Sequence, residues 1–280
     1  LLPEEVVCWV LGSEQFHVVR VPVDRSDLKE SILEFRRQLQ SLEPYEATSK
    51  QLSSLLLEPV AKHLQGSEYV GIVPHRMLHY LSFAPLEYRD SPFVEKYPLF
   101  YLQSASLLRY TLKRRRRDKT DQVLAVGNPE LDNPDMQLPF AEHEVEAMGW
   151  NFSHMRKLMR ENATETRVSD DMQRFDIVHL ASHGSFDPQN PLFSSLKLAE
   201  TPEEDGDLRA SEVFGLDIQA DLVVLSACQS GLGDIRAGDE ILGLNRAFTF
   251  AGAHALISSL WRVSDISTAV LMKQFYREYT

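Results

Sequence analysis

Two stretches of this chain end an apolar run on a residue that can do chemistry. "DIVHLASHG" closes on His183 and Gly184, and "DLVVLSACQSGLG" closes on Cys228, three positions before Gly231. Cysteine is scarce, with two in 280 residues. A thiol is a poor nucleophile until it ionises, and its free pKa is about 8.5. It therefore needs a neighbour that takes the proton or holds the thiolate as an ion pair, and an imidazole can do either. Backbone N–H groups at Gly184 and Cys228, expected in the turns where the two strands end, suit a tetrahedral oxyanion. A glycine after His183 lets that backbone approach a substrate without a Cβ in the way. The chemistry is acyl transfer through a cysteine, most simply peptide hydrolysis; ligation or another acyl transfer by the same thiol stays open.

Positioning these groups requires rigid mounts. "QVLAVGNP", "FDIVHLASHG", "SSLKLAE", "ADLVVLSACQSG" and "AHALISSLW" read as strands, several of them almost continuously apolar. Strands buried on both faces look like that, and helical stretches between them (Pro139 to Met148, Thr164 to Arg174, Glu240 to Ala251, Ser264 to Tyr279) favour a parallel sheet. The fold class is α/β with helices on both faces. In such a sheet functional groups gather at the carboxyl edge of the strands. His183 and Cys228, 45 positions apart, both fall there and meet in one crevice if their strands are neighbours. His179 and His183 stand roughly 13 Å apart on an extended strand, too far to share a metal ion, so His179 reads as a packed, hydrogen-bonded strand residue. Cys8, inside a strand-like run, reads as an inert core thiol. His75 and His79 belong to a loop after Pro74, and no metal or other cofactor is called for. No G-x-S-x-G, Walker loop or dinucleotide fingerprint is present.

Upstream, "VVCWVLG" and "FHVVRVPV" read as a hairpin, Asp27 to Gln40 and Ser49 to Leu64 as helices, "EYVGIVP" as a short buried strand, and "SASLLRYTLKRRRR" as a helix with a basic end. The expected division is 1–118 and 119–280. "EYVGIVPH" and "FDIVHLASH" share a texture that hints at a degenerate duplicate in the first part. The composition, 43% apolar and 25% charged, is that of a globular protein with a full core. A net charge of −12 repels phosphate backbones and anionic membranes, which argues against nucleic acid or a membrane as partner. No apolar run has the length of a bilayer span. Two cysteines make no disulfide framework, so a reducing, cytoplasmic setting is expected. The chain reads as a piece of something longer.

At these residues the sequence resembles the CHAT family, caspase-like proteases often fused to tetratricopeptide repeats and related to separases and caspases. The resemblance runs through "IVPHRMLHYLSFAPL", "VGNP", "LPFAEHEVEAM", "HLASHG", "LVVLSACQSGLG", "GLNRAFTFAGAHALISSLWRVSD" and "TAVLMKQFY". It implies a caspase-like three-layer sandwich with a mostly parallel central sheet and helices on both faces, with His183 as base, Cys228 as nucleophile, and the backbone of Gly184 and Cys228 as oxyanion hole. The first part becomes a degenerate companion subdomain. Family members commonly carry a cysteine where this chain has Ser182, and their pattern continues a little past the last helix. Partners implied are a protein substrate and an upstream tetratricopeptide-repeat or other regulatory region; triggered proteolysis, including bacterial defence, is the implied setting.

For specificity, Ser226 occupies the place, two before the nucleophile, where caspases carry a reader of acidic residues, and it is small and neutral. By resemblance to separases at "LWRVSD", Asp265 binds a basic substrate residue; the alternative is that Ser264 or Asp265 caps the last helix. Asp239 and Glu240 are pocket acids or helix-start carboxylates. Ser259 and Trp261, at the end of the "LISSLW" strand, offer backbone and a pocket wall to an extended substrate. The glycine-rich run 231–238 is expected to order when a partner signals. The competing function is a catalytically silent signalling scaffold on the same fold.

Overall fold

The computed structural model describes residues 1–108, 122–187, 189–226, 228–229, 240–261 and 263–280, with the backbone alone at 228, 229 and 240–242. The expected boundary at 118, the basic run 113–117, Asp239 and the run 231–238 lie outside the described residues. The chain divides into two compact units, Leu1–Leu108 and Arg109–Thr280.

In the first unit β1 (Glu5–Leu11) and β2 (Phe16–Pro22) form the expected antiparallel hairpin. Helix α1 (Arg25–Ser41) starts where the Asp24 carboxylate accepts from the Ser26 N–H at 2.6 Å and the Asp27 N–H, an N-cap. Leu28, Ile32 and Phe35 line one face of α1 at helical spacing and are fully buried. The single helix expected over 49–64 is instead α2 (Glu46–Leu56) followed by a 3₁₀ turn, Glu58–His63. Pro59 is the cause, since it has no N–H to continue the α-helical ladder. The "EYVGIVP" strand is shorter and less buried than expected. Its core, β3 (Val70–Ile72), is half-buried with Gly71 exposed. Short pieces follow: a 3₁₀ turn (Arg76–Tyr80), the pair β4 (Glu87–Tyr88) and β5 (Ser91–Pro92), α3 (Phe93–Lys96), and β6 (Leu99–Tyr101), which pairs parallel with β3. Of the helix expected from Ser104, the described part is a 3₁₀ turn, Ala105–Leu107.

The second unit contains the parallel sheet. Its strands are β7 (Val123–Pro129), β8 (Met155–Arg160), β9 (Ile177–Ala181), β13 (Leu222–Leu225) and β15 (Ala255–Ser258), in the spatial order β15-β13-β9-β7-β8. Every pairing in it is parallel. A second, smaller sheet has the order β12-β11-β10-β14, from β10 (His183–Ser185), β11 (Ser195–Lys197), β12 (Asp207–Arg209) and β14 (Cys228–Gln229). The α-helices of the unit among the described residues are α4 (Pro139–Met148), α5 (Glu165–Met172), α6 (Ala210–Val213), α7 (Glu240–Ala251) and α8 (Asp265–Tyr279).

The two-residue alternation of strand side chains splits each central strand between two cores. Leu124, Val126, Val178, Leu180, Val223 and Leu225 pack with Val168 and Met172 of α5 and with Leu244, Ala247 and Phe248 of α7. Val123, Ala125, Ile177, Leu222 and Val224 pack on the other face with Val145 and Met148 of α4 and with Met272 and Tyr276 of α8. Helices therefore cover both faces of a parallel sheet, the caspase-like three-layer α/β sandwich. Gly127 permits a close approach of α4 to β7: a Cβ there would lie 2.7 Å from Val145 Cγ2 and 2.9 Å from the Ala141 carbonyl oxygen. Strand β8, "MRKLMR", is absent from the sequence reading because it is an edge strand whose one buried residue is Leu158.

Candidate active site

Strands β9 and β13 are neighbours, in register from Ile177↔Leu222 to Leu180↔Leu225. β13 leaves the parallel sheet after Leu225 and β9 one residue later, after Ala181, which still pairs with Gly127 of β7. The two pair again as β10 and β14, again parallel, with His183 opposite Cys228 and Gly184 opposite Gln229. Adjacent strands lie about 4.8 Å apart. Instead of the turns expected at Gly184 and Cys228, the backbone here is ladder. Gly184 also pairs antiparallel with Leu196 on its other side.

Serines stand at the two bends. Ser182 is buried, and its hydroxyl donates to the Lys197 carbonyl. Ser226 donates to a carboxylate oxygen of Glu144 at 3.3 Å. A strand that leaves its sheet gives up ladder partners, and small hydroxyls with nearby acceptors suit such a place.

The His183 ring is held from the side. Its Nε2 lies 2.7 Å from the Met136 carbonyl oxygen. A carbonyl only accepts, so Nε2 carries the hydrogen and the neutral ring keeps Nδ1 as its basic nitrogen. The Met136 carbonyl is placed by the segment between β7 and α4. Asn128, left-handed at φ 46°, accepts the Leu138 N–H at 2.7 Å and donates to Glu142 at 3.0 Å. Asn133 accepts the Asp135 N–H at 3.0 Å and caps the 3₁₀ turn Pro134–Met136.

Behind the two bends lies a buried polar network. Glu144, on the core face of α4, is 2% exposed, and His179 and Tyr276 are fully buried. The second Glu144 oxygen approaches His179 Nε2 to 3.0 Å, at an angle outside good hydrogen-bond geometry. On the other side of that ring, Nδ1 lies 3.0 Å from the Tyr276 hydroxyl. Burial, with the Glu144 charge adding to it, pushes the Tyr276 phenol well above its ordinary value, so the hydroxyl stays a donor. His179 is thus the packed, hydrogen-bonded strand residue expected.

Asp265 opens α8, but its carboxylate accepts the Phe140 N–H at 3.2 Å, at the start of α4. Ser264 makes no side-chain cap. Burial raises the Asp265 pKa and the Glu144 charge raises it further, while the Phe140 N–H, His183 and His143 pull it down. Asp265 therefore lies within the electrostatic reach of both His183 and Glu144. Ser259 and Trp261 are half-buried just past β15. Ser258 is in register with Leu225, so this strand ends at the same rim. Glu240 begins α7. In the first unit, burial pushes the Cys8 thiol up.

Met136, Glu144 and Tyr276 are absent from the sequence reading. A backbone carbonyl carries no residue signature, so Met136 had no signal. Glu144 had one: it falls on the stripe Ala141, Val145, Met148, a carboxylate at a core position.

Among the described residues no helix is long and apolar enough to cross a membrane. The chain is 24% identical over 267 residues to human tetratricopeptide repeat protein 28, matching 78% of this chain and 10% of that protein. To the mouse protein of the same name it is 26% identical over 196 residues, matching 56% of this chain and 8% of that one. The chain thus spans about a tenth of the length of these relatives. A crystal structure of a Geobacter sulfurreducens protein is 18% identical, covering 56% of this chain and 63% of that one at a TM-score of 0.28, too loose a likeness to bear on the fold. The model of the CHAT domain matches residues 46–280, and the chain belongs to the CHAT domain family.

Proposed function

We propose that this chain is a regulated cysteine endopeptidase of a reducing, cytoplasmic compartment, with Cys228 as nucleophile and His183 as base. The observation that carries the reading is the β10–β14 register, in which the His183 and Cys228 backbones are direct partners. Two further points support it: the Met136 carbonyl leaves Nδ1 of His183 as the basic nitrogen, and the family is protease-like in fold. In the proposed cycle His183 Nδ1 takes the thiol proton and Sγ bonds to the scissile carbonyl carbon. The imidazolium then protonates the departing amine as the C–N bond breaks, leaving a thioester. Water, deprotonated by His183, attacks the thioester, releases the acid and restores the thiol. The backbone N–H groups of Gly184 and Cys228 are proposed for the oxyanion. Both residues are paired in the ladder, so substrate takes the place of a strand contact there.

Strand β15 ends its sheet with β13 as its one partner among the described residues, which suits an extended substrate lying along Ser259 and Trp261. Ser226 lies beside this rim as a small, neutral pocket residue. Asp265, partly buried and near His183, is the proposed partner of a basic substrate side chain. The human and mouse relatives are tetratricopeptide repeat proteins, which supports control by a tetratricopeptide-repeat region.

The test combines a positional peptide library with an iodoacetamide probe. Cys228→Ala and His183→Ala each abolish cleavage, and the probe labels Cys228 far faster than Cys8. Equal labelling of the two thiols overturns the activated-thiol reading. Dyad variants that keep full biological effect, with no peptide cleaved, favour the scaffold instead.

A further inference from the structure

The carboxylate of Glu144 is buried, lies outside the proposed reacting groups, and touches both strands that carry them. One oxygen accepts from Ser226, two residues before Cys228, and the other meets His179, four residues before His183. The strands bend at equivalent places, since Leu180 pairs with Leu225 and His183 with Cys228. The bend interrupts the ladder between the two strands, and among the described residues the β10–β14 pairing that resumes it is two pairs long, so a side-chain contact at the bend adds to what fixes their relative height. On the β9 side Ser182 is pinned by the Lys197 carbonyl, within the second sheet. On the β13 side the acceptor is Glu144, which α4 presents from beneath and which His179 of β9 flanks.

We infer that Glu144 is a positioning residue that locks the nucleophile strand end against the histidine strand end, acting through Ser226. The groups facing it are His179 from β9, Ser226 after β13, and Asp265 and Tyr276 from α8. Reacting groups that drift by about 1 Å can lose roughly 100-fold in rate. Loss of the pin therefore shows in the reactivity of Cys228 before it shows in the fold.

This inference rests on the cysteine–histidine reading, and the experiment separates the two. The pH profile of iodoacetamide labelling at Cys228 is measured by mass spectrometry for the whole chain and its variants. In the unmodified protein the midpoint lies below the free-thiol value of about 8.5, and in His183→Ala it returns there. Glu144→Ala and Ser226→Ala each slow labelling near neutral pH by about 10-fold or more, and each moves the midpoint toward that of His183→Ala. Together they do little more than either alone, because one acts through the other. Glu144→Gln, which keeps an acceptor for the serine, recovers much of the loss. Ser226→Ala removes one oxygen and serves if Glu144→Ala does not fold. Unchanged labelling in Glu144→Ala or Ser226→Ala, or full additivity of the two, overturns the inference. Identical profiles for the unmodified protein and His183→Ala overturn the dyad itself, and the inference with it.

Discussion

Replacing Tyr276 with phenylalanine deletes one buried oxygen and little else. The ring keeps its edge contacts with Phe152 and Phe275, at centroid distances of 5.6 and 5.1 Å. What disappears is the donor 3.0 Å from His179 Nδ1, on a fully buried ring. Water does not reach that nitrogen, so it is left unpaired at a cost of about 1–3 kcal/mol. For a unit of this size each kcal/mol moves Tm by roughly 2–4 °C, so Tyr276→Phe should melt roughly 2–12 °C lower. Circular dichroism on the whole chain reads the midpoint. Amide exchange along β9 reads whether the loss is local to the histidine strand. Combining the change with His179→Leu removes the acceptor as well, so the second substitution should cost less than it does alone. A Tyr276→Phe protein that melts with the unmodified one, or above it, refutes the reasoning. The hydroxyl would then not be the donor that satisfies His179.

Asp265→Asn tests the electrostatics of the rim. Burial raises the Asp265 pKa in the folded chain, so the folded state holds this proton more tightly than the unfolded state does. The stability Asp265 contributes is full below the ordinary aspartate value, about 3.9, and is lost as pH rises through the folded value. Asparagine keeps an acceptor for the Phe140 N–H, so its melting point gains on the unmodified protein between pH 4 and 7; a gap that does not change with pH refutes this. Gly127→Ala forces α4 off β7, because the new methyl meets Val145 and the Ala141 carbonyl. It should cost about 1–3 kcal/mol in urea unfolding, and an unchanged midpoint would show that the helix yields freely.

The parallel sheet was legible because continuous apolar runs between amphipathic helices have few other solutions, and α4 was bounded correctly by Pro139 at its first turn. The placement of His183 and Cys228 at one rim followed from two strands of matching texture. The division of "FDIVHLASHG" into β9 and β10 was not legible. Ser182 interrupts nothing in the hydrophobic pattern, and the second sheet that receives β10 is built from short pieces distant in sequence. Strand β8 was hidden by its charges, since an edge strand needs only one buried residue to pair. The 3₁₀ turn after α2 could have been read from Pro59, had the apolar spacing of 49–64 not outweighed it. Met136 acts through a backbone atom, which side-chain types do not reveal.

The bends explain why polar residues sit where this core might have been apolar. Up to Leu180 and Leu225 the two strands are held together by ladder hydrogen bonds and flanked by aliphatic side chains on both faces. Between those residues and the pair His183–Cys228 the ladder is interrupted, and apolar packing alone is a poor ruler there, because it tolerates small slips with little change in buried area. A directional contact does not tolerate them: a hydrogen bond weakens steeply once its angle falls toward 120°. Ser182 and Ser226 supply directional contacts where the ladder is interrupted, Glu144 being the acceptor for Ser226, and one residue before Leu180, His179 meets the Tyr276 hydroxyl of α8. Such anchors cost desolvation and return their value as register rather than bulk stability. On this view apolar substitutions in the sheet lower stability and spare the reactivity of any properly folded fraction, whereas substitutions at the bends lower reactivity out of proportion to their effect on melting. Comparing Val224→Ala with Ser226→Ala, by melting point and by Cys228 labelling rate, separates the two behaviours. Parallel losses in both variants would mean that packing, and not the polar anchors, sets the height of the two strand ends.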